Sequence, residues 1–250
     1  MATKTISAKK TVRATRVAST PKTSDGMGSY LKRIFGLMFG AVAVTALTSF
    51  VTMATPLWGM LMTNTGMSGL YYILLFGGLA LSIWAQVRAF SLKPATAILL
   101  LGVYAILMGI VLTPLLLFAV IQNPFTILAA FGIAAAMFAC MAMFGYKTVR
   151  DLSFLGTFLF MGMIGLVLVG LASFIWPTIL GGAFGTIVCL IGVLVFALFT
   201  AYDMQTLRRA YASIGDDTQK NQLAVLGALH LYISFIAMFQ YVLSLLNRNN

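Results

Sequence analysis

Apolar residues run in seven long stretches along this chain, and the six connections between them alternate in kind. The stretches cover residues 34–55, 70–87, 95–120, 125–146, 152–175, 183–206 and 224–246. A helix needs about 20 apolar residues to cross the hydrocarbon core of a bilayer, since each residue adds only ~1.5 Å. The pattern therefore predicts seven transmembrane helices. The first, third and fifth connections, near 56–68, 122–124 and 177–182, carry no charge. The second carries Arg88 and Lys93, the fourth Lys147 and Arg150, and the sixth Arg208, Arg209 and Lys220. With the basic N-terminal segment, fifteen of the sixteen Lys and Arg residues fall on one side of the predicted bundle, and only Arg248 falls on the other. Positive residues are retained in the cytoplasm, so the N-terminus is expected inside and the C-terminus outside.

Local signals refine the spans. Pro56 follows the first and Pro124 opens the fourth. Asp151 or Ser153 is placed to cap the fifth, and Pro177 to end it. Pro114 lies inside the third span, where it removes a backbone donor and is expected to kink the helix. Gly36 and Gly40 on the first helix, and Gly132, Ala135, Ala136 and Ala139 on the fourth, read as small faces for helix packing. The sixth connection, 207–223, reads as a polar loop. Residues 1–30 hold Lys, Arg, Ser, Thr and Ala with one acid, Asp25. They are expected to form a disordered basic cytoplasmic tail on a transmembrane domain of 31–250. A transit peptide has a similar composition, which leaves an organelle membrane as an alternative to a bacterial inner membrane.

Composition agrees: 61% of residues are hydrophobic, 8% are charged, and the mean hydropathy is +1.00. Soluble classes are excluded. A net charge of +11 suggests nucleic acid, but the basic residues sit in the tail and at helix ends, where they set topology beside anionic lipid. The bilayer, not nucleic acid, is the expected partner. Cys140 and Cys189 lie within spans, and with one His they make no metal-site spacing, so both are read as buried packing residues. No catalytic residue or cofactor is expected.

One acid stands at membrane depth. Asp203 lies in the sixth span, about 7 Å of helix from Arg208. A carboxylate there must be paired, hydrated or protonated. Arg88, Arg208 and Arg209 are candidate counter-ions. On the seventh span His230 and Ser234 are four apart and share a face, with His230 at a depth comparable with Asp203 and Ser234 about 6 Å deeper. His230 titrates near neutrality when unperturbed.

Three stretches carry a family resemblance: Gly145-Tyr146-Lys147-Thr148-Val149-Arg150-Asp151-Leu152-Ser153; residues 199–207 with their Thr200-Ala201-Tyr202-Asp203 core; and Leu226-Gly227-Ala228-Leu229 followed by Leu231-Tyr232. With the seven-span plan, the chain resembles the Bax-inhibitor family over about residues 30–247, most closely its bacterial inner-membrane branch. The resemblance implies six helices wrapped around a central C-terminal seventh. It also implies a pH-sensitive calcium leak, gated near the cytoplasmic side by two aspartates that share a proton. The first maps to Asp203, which would contact calcium transiently. The second falls in Leu231-Tyr232-Ile233-Ser234-Phe235-Ile236, where Ser234 replaces the acid. Ser234 can hydrogen-bond Asp203 but cannot repel its charge. A rebuilt Asp203–His230 pair is the expected substitute. There is no Glu, and all acids but Asp203 lie in the tail or in basic connections, so any calcium path would rely on carbonyls, hydroxyls and one carboxylate.

Other readings are a monomeric, non-conducting regulator of stress response or of the membrane AAA protease FtsH, whose bacterial substrates and modulators include relatives of this family. The basic tail would be its handle. An intramembrane hydrolase built on Asp203, His230 and Ser234 lacks an oxyanion hole and a Gly-x-Ser-x-Gly turn. A retinal protein needs a lysine in the last helix, and a G-protein-coupled receptor places its N-terminus outside.

Overall fold

The computed structural model describes residues 23–63, 66–88 and 94–249, and it is an all-α membrane protein. Helix α1 (Thr23–Ala54) ends before Pro56. A one-turn helix α2 (Trp58–Leu61) and a two-residue hairpin, β1 (Met62–Thr63) with β2 (Gly66–Met67), then pair Met62 with Met67 and Thr63 with Gly66. Gly66 takes φ 143°, a conformation that a side chain would strain. Four helices follow: α3 (Gly69–Arg88), α4 (Pro94–Gln122), α5 (Phe125–Lys147) and α6 (Ser153–Ile175). A 3-10 turn starting at Pro177 leads to α7 (Gly182–Ser213), and α8 (Asp217–Asn249) closes the chain. By length and composition, six of these helices (α1 and α4–α8) can cross a membrane, while α3 offers a shorter apolar run, Gly69–Ala85. Exposed Phe39, Phe50, Ile73, Leu99 and Phe158 give the outer surface an apolar coat suited to acyl chains.

Helix α8 is the most interior: 72% of its apolar window is buried, against 39% or less for the other spans. It packs against α1, α4, α5 and α7, while α3 packs mainly on α4 and α6 mainly on α7. Leu231, Tyr232, Met238 and Leu243 of α8 are fully buried. Phe235 meets the edges of Phe131 and Phe138, each at 5.6 Å between centroids. A second, smaller core of Leu159, Leu166, Val188 and Val195 joins α6 to α7.

Several expectations shift. α1 begins at Thr23, inside the segment read as disordered, and residues 1–22 lie outside the described residues. Residues 23–30 are helical because α7 runs on to Ser213 and offers them a surface: the Tyr30 and Tyr211 rings lie 4.7 Å apart. The sixth connection shrinks to residues 214–216, since both flanking helices extend past their apolar spans. Asp216 accepts from the backbone N–H groups of Thr218 and Gln219 and so caps α8.

The small faces also move. A Cβ on Gly36 or Gly40 would meet nothing, so this pair faces outward rather than packing. The buried line on α5 is Thr126, Ala130, Ala134, Phe138, Ala142 and Gly145, rotated from the predicted one. Cys140 is exposed on the outer face of α5, and only Cys189 is buried. Pro114 does lie inside α4, next to Thr113, whose hydroxyl donates to the Gly109 carbonyl at 3.0 Å.

Candidate functional site

The first two motif stretches form one packed unit. Gly145, in the last turns of α5, touches the α7 backbone so closely that a Cβ would lie 2.1 Å from the Ala201 carbonyl oxygen. Only glycine permits that approach. One turn further along α7, buried Gln205 braces the link between α5 and α6: its Nε2 donates to the Arg150 carbonyl at 2.7 Å, and its Oε1 accepts from Leu152 N–H at 2.9 Å. Arg208 donates to the Tyr146 and Thr148 carbonyls at the end of α5. Arg209 pairs with Asp151 at 2.7 Å. Asp151 also accepts from the Ser153 hydroxyl at 2.7 Å and from Ser153 N–H at 3.0 Å; the cap position of α6 is Leu152, with no side-chain cap, so neither Asp151 nor Ser153 caps the helix as expected. These contacts, the Ser153 hydroxyl first and Arg209 next, hold the exposed Asp151 carboxyl below the usual carboxylate range.

The third stretch locks α8. Gly227 lies against Leu207, and a Cβ there would come within 2.6 Å of the Leu207 side chain. The Tyr232 hydroxyl meets the Thr45 hydroxyl at 2.6 Å, and Thr45 in turn donates towards the Ala41 and Ala105 carbonyls. This buried knot ties α8 to α1 and α4.

Between α6, α7 and α8 lies a cavity of about 220 Å³. Asp203, His230 and Ser234, grouped from the sequence as candidate site residues, all line it. The Ser234 hydroxyl, which is buried, donates to Asp203 Oδ2 at 3.5 Å, a long and therefore weak contact. The expected Asp203–His230 pair is not made: His230 Nε2 is buried and has no hydrogen-bond partner among the described residues. Arg208 and Arg209 are likewise not the counter-ions. They follow Asp203 by five and six positions, which turns them about 140° and about 120° away around the helix, towards the carbonyls of α5 and towards Asp151. The side chain of Arg88 lies outside the described residues. Among those residues no three His, Cys, Asp or Glu side chains cluster to hold a metal.

Phe160, Met163, Phe196, Phe199, Tyr202 and Ile233 complete the walls. Phe196 and Phe199 were legible from Asp203, seven and four positions back on the same helical face. Phe160 and Met163 carried no such signal, because sequence does not say which helix faces α7. Two closures of α7 on α8 bracket the cavity: Leu207 on Gly227 at the basic end, and the Tyr241 ring on Gly192 at the other, where a Cβ would lie 2.7 Å from the ring.

A family model described as "Inhibitor of apoptosis-promoting Bax1" matches residues 27–250. The chain is 32% identical to the inner membrane protein YbhL of Escherichia coli (strain K12) over 222 residues, 87% of this chain and 91% of that one. It is 30% identical to an uncharacterized protein of Borreliella burgdorferi, covering 88% of this chain and 91% of the relative. Identity to the uncharacterized protein RP147 of Rickettsia prowazekii is also 30%, covering 89% and 90%.

Proposed function

The chain belongs to the Bax-inhibitor family of membrane proteins, and from that premise we propose that it is a pH-responsive cation leak, with calcium as a permeant ion and Asp203 as the group that gates it. It sits in a bacterial inner membrane as a seven-span monomer, its basic end in the cytoplasm and its C-terminus outside. One observation carries the reading: within α7, a helix long and apolar enough to cross a membrane, Asp203 lines a cavity opposite Ser234, without a basic partner among the described residues. A carboxyl in that position changes state with a proton. Neutral, it leaves α7 and α8 closed on each other at Leu207–Gly227. Charged, it demands water or a cation, and the demand is met by parting the two helices. The titratable groups that face it are His230 from α8 and Tyr202 from α7, while the α6 wall offers Phe160 and Met163.

Calcium flux into dye-loaded proteoliposomes between pH 5 and 8 tests this. Wild-type flux should rise with pH as Asp203 ionises. Asp203→Asn imitates the protonated acid, so its flux should stay at the low, acid-end level throughout, roughly tenfold below wild type at the alkaline end, about the effect of 1.4 kcal/mol on a gating equilibrium. An Asn variant with an unchanged pH profile removes Asp203 as the gate. The two closures of α7 on α8 favour a second reading, a non-conducting regulator of stress response or of FtsH. Absence of protein-dependent flux at every pH selects it.

A further inference from the structure

The walls of the Asp203 cavity suit more than a passing inorganic ion. Four aromatic rings, Phe160, Phe196, Phe199 and Tyr202, line it together with one carboxylate, one imidazole and one buried hydroxyl. The Phe196 and Phe199 rings lie 6.0 Å apart and tilted, which extends a continuous π surface along α7. Two polar groups in this lining are poorly served. Asp203 has one long hydrogen bond among the described residues, and His230 Nε2 has none. A buried polar atom without a partner is costly, so an occupant that satisfies both is favoured.

Calcium is a poor occupant, since it takes six to eight oxygens and this lining is mostly carbon. A protonated amine fits better. Its N–H groups can donate to the carboxylate and to an unprotonated imidazole nitrogen, and its charge is attracted to aromatic faces within about 6 Å. The entrance favours an apolar body. α6 packs mainly on α7 and leaves a gap beside α8, and Phe160 at its edge is 54% exposed on the surface that meets lipid.

We propose that this cavity is a binding site for a small, lipophilic, protonated amine that enters from the bilayer, with its ammonium group at Asp203 and His230 and its apolar body on the aromatic wall. The site shares Asp203 with the leak reading but does not require conduction.

The test uses the full chain in lipid nanodiscs, with empty nanodiscs subtracted. Benzylamine is the charged probe and benzyl alcohol its neutral isostere, and binding is followed by saturation-transfer NMR. Benzylamine should bind saturably, at least ~10-fold tighter than benzyl alcohol, as loss of a charge-assisted contact predicts. Asp203→Asn should lose that preference. Phe160→Leu, at a lipid-exposed position where folding is not at risk, should weaken benzylamine by about 3- to 10-fold while leaving benzyl alcohol within about twofold. Equal affinity for the two probes, or full benzylamine affinity in both variants, or no saturable binding, overturns the proposal. Flux on the same preparations separates the two readings. Saturable binding without calcium flux leaves the amine site standing and removes the leak; flux without saturable binding does the reverse.

Discussion

At the residue scale, glycine placement shows how closely these helices are fitted. Gly145 and Gly36 both sit within long helices, yet a Cβ at Gly145 would run into the Ala201 backbone while one at Gly36 would meet open space. Gly145→Ala should therefore cost about 1–3 kcal/mol by overpacking, because the obstacle is backbone and cannot rotate away. Gly36→Ala should fall within about 0.5 kcal/mol of wild type. Thermal unfolding of the two variants in one detergent checks this, and a Gly145→Ala protein as stable as wild type would show that α5 and α7 do not approach so closely. The contrast also explains a misreading. The Gly36-Gly40 spacing matches a packing motif, but spacing alone cannot tell a face that meets a helix from one that meets lipid, since both are apolar. Asp203 and His230 were readable as residues at one depth from helical rise, and Ser234 as sharing the His230 face one turn on. That Ser234 rather than His230 donates to Asp203 depends on helix rotation, which spacing does not contain.

Among elements, the link between α5 and α6 is held by α7 on three sides: Gln205 on its backbone, Arg208 on the end of α5, and Arg209 on Asp151. Asp151 gives this junction a pH dependence of known sign. Its folded-state carboxyl is held below the usual range by Ser153 and Arg209, so it binds fewer protons folded than unfolded. Its stabilisation is complete above the unfolded carboxylate pKa and fades as pH falls through the lower folded value. Asp151→Asn should therefore be less stable than wild type at neutral pH, by a small margin because the pair is exposed, and the gap should close in strong acid. Unfolding temperatures measured down the pH scale report it; a gap that widens on acidification contradicts the assignment. Sequence marked Asp151 or Ser153 as the cap of this helix, but Leu152 holds the cap position without a side-chain bond, and Asp151 instead bonds Ser153, the first helical residue. Nothing in the sequence signalled that Arg209, 58 positions away, completes the cluster.

For the whole molecule, the leak and regulator readings part at the N-terminus. The deletion must respect α1, which starts at Thr23 and whose Tyr30 is buried in the core. Removing residues 2–22 should leave calcium flux and its pH profile within about twofold of wild type, because a change of ~0.4 kcal/mol or less is expected far from the gate. A regulator that acts through its tail would instead lose its effect on FtsH turnover of a reporter substrate. Loss of flux in the truncated protein would tie the tail to the pore and overturn the cavity-centred reading.

The chain by itself determined the class, the order of the apolar helices and the acid inside the sixth apolar stretch, but not where α1 and α8 begin or where α7 ends. Hydrophobic run length and the cost of burying charge act locally, residue by residue, and so are written along the sequence. Tertiary structure decided which helix is interior, which small residues face helices rather than lipid, and which side chains meet. In lipid, buried and lipid-facing positions are equally apolar, so composition cannot separate them. Only the fitting of α7 against α5, α6 and α8 turns three separated motifs into one braced unit beside a largely apolar cavity that holds Asp203, His230 and Ser234.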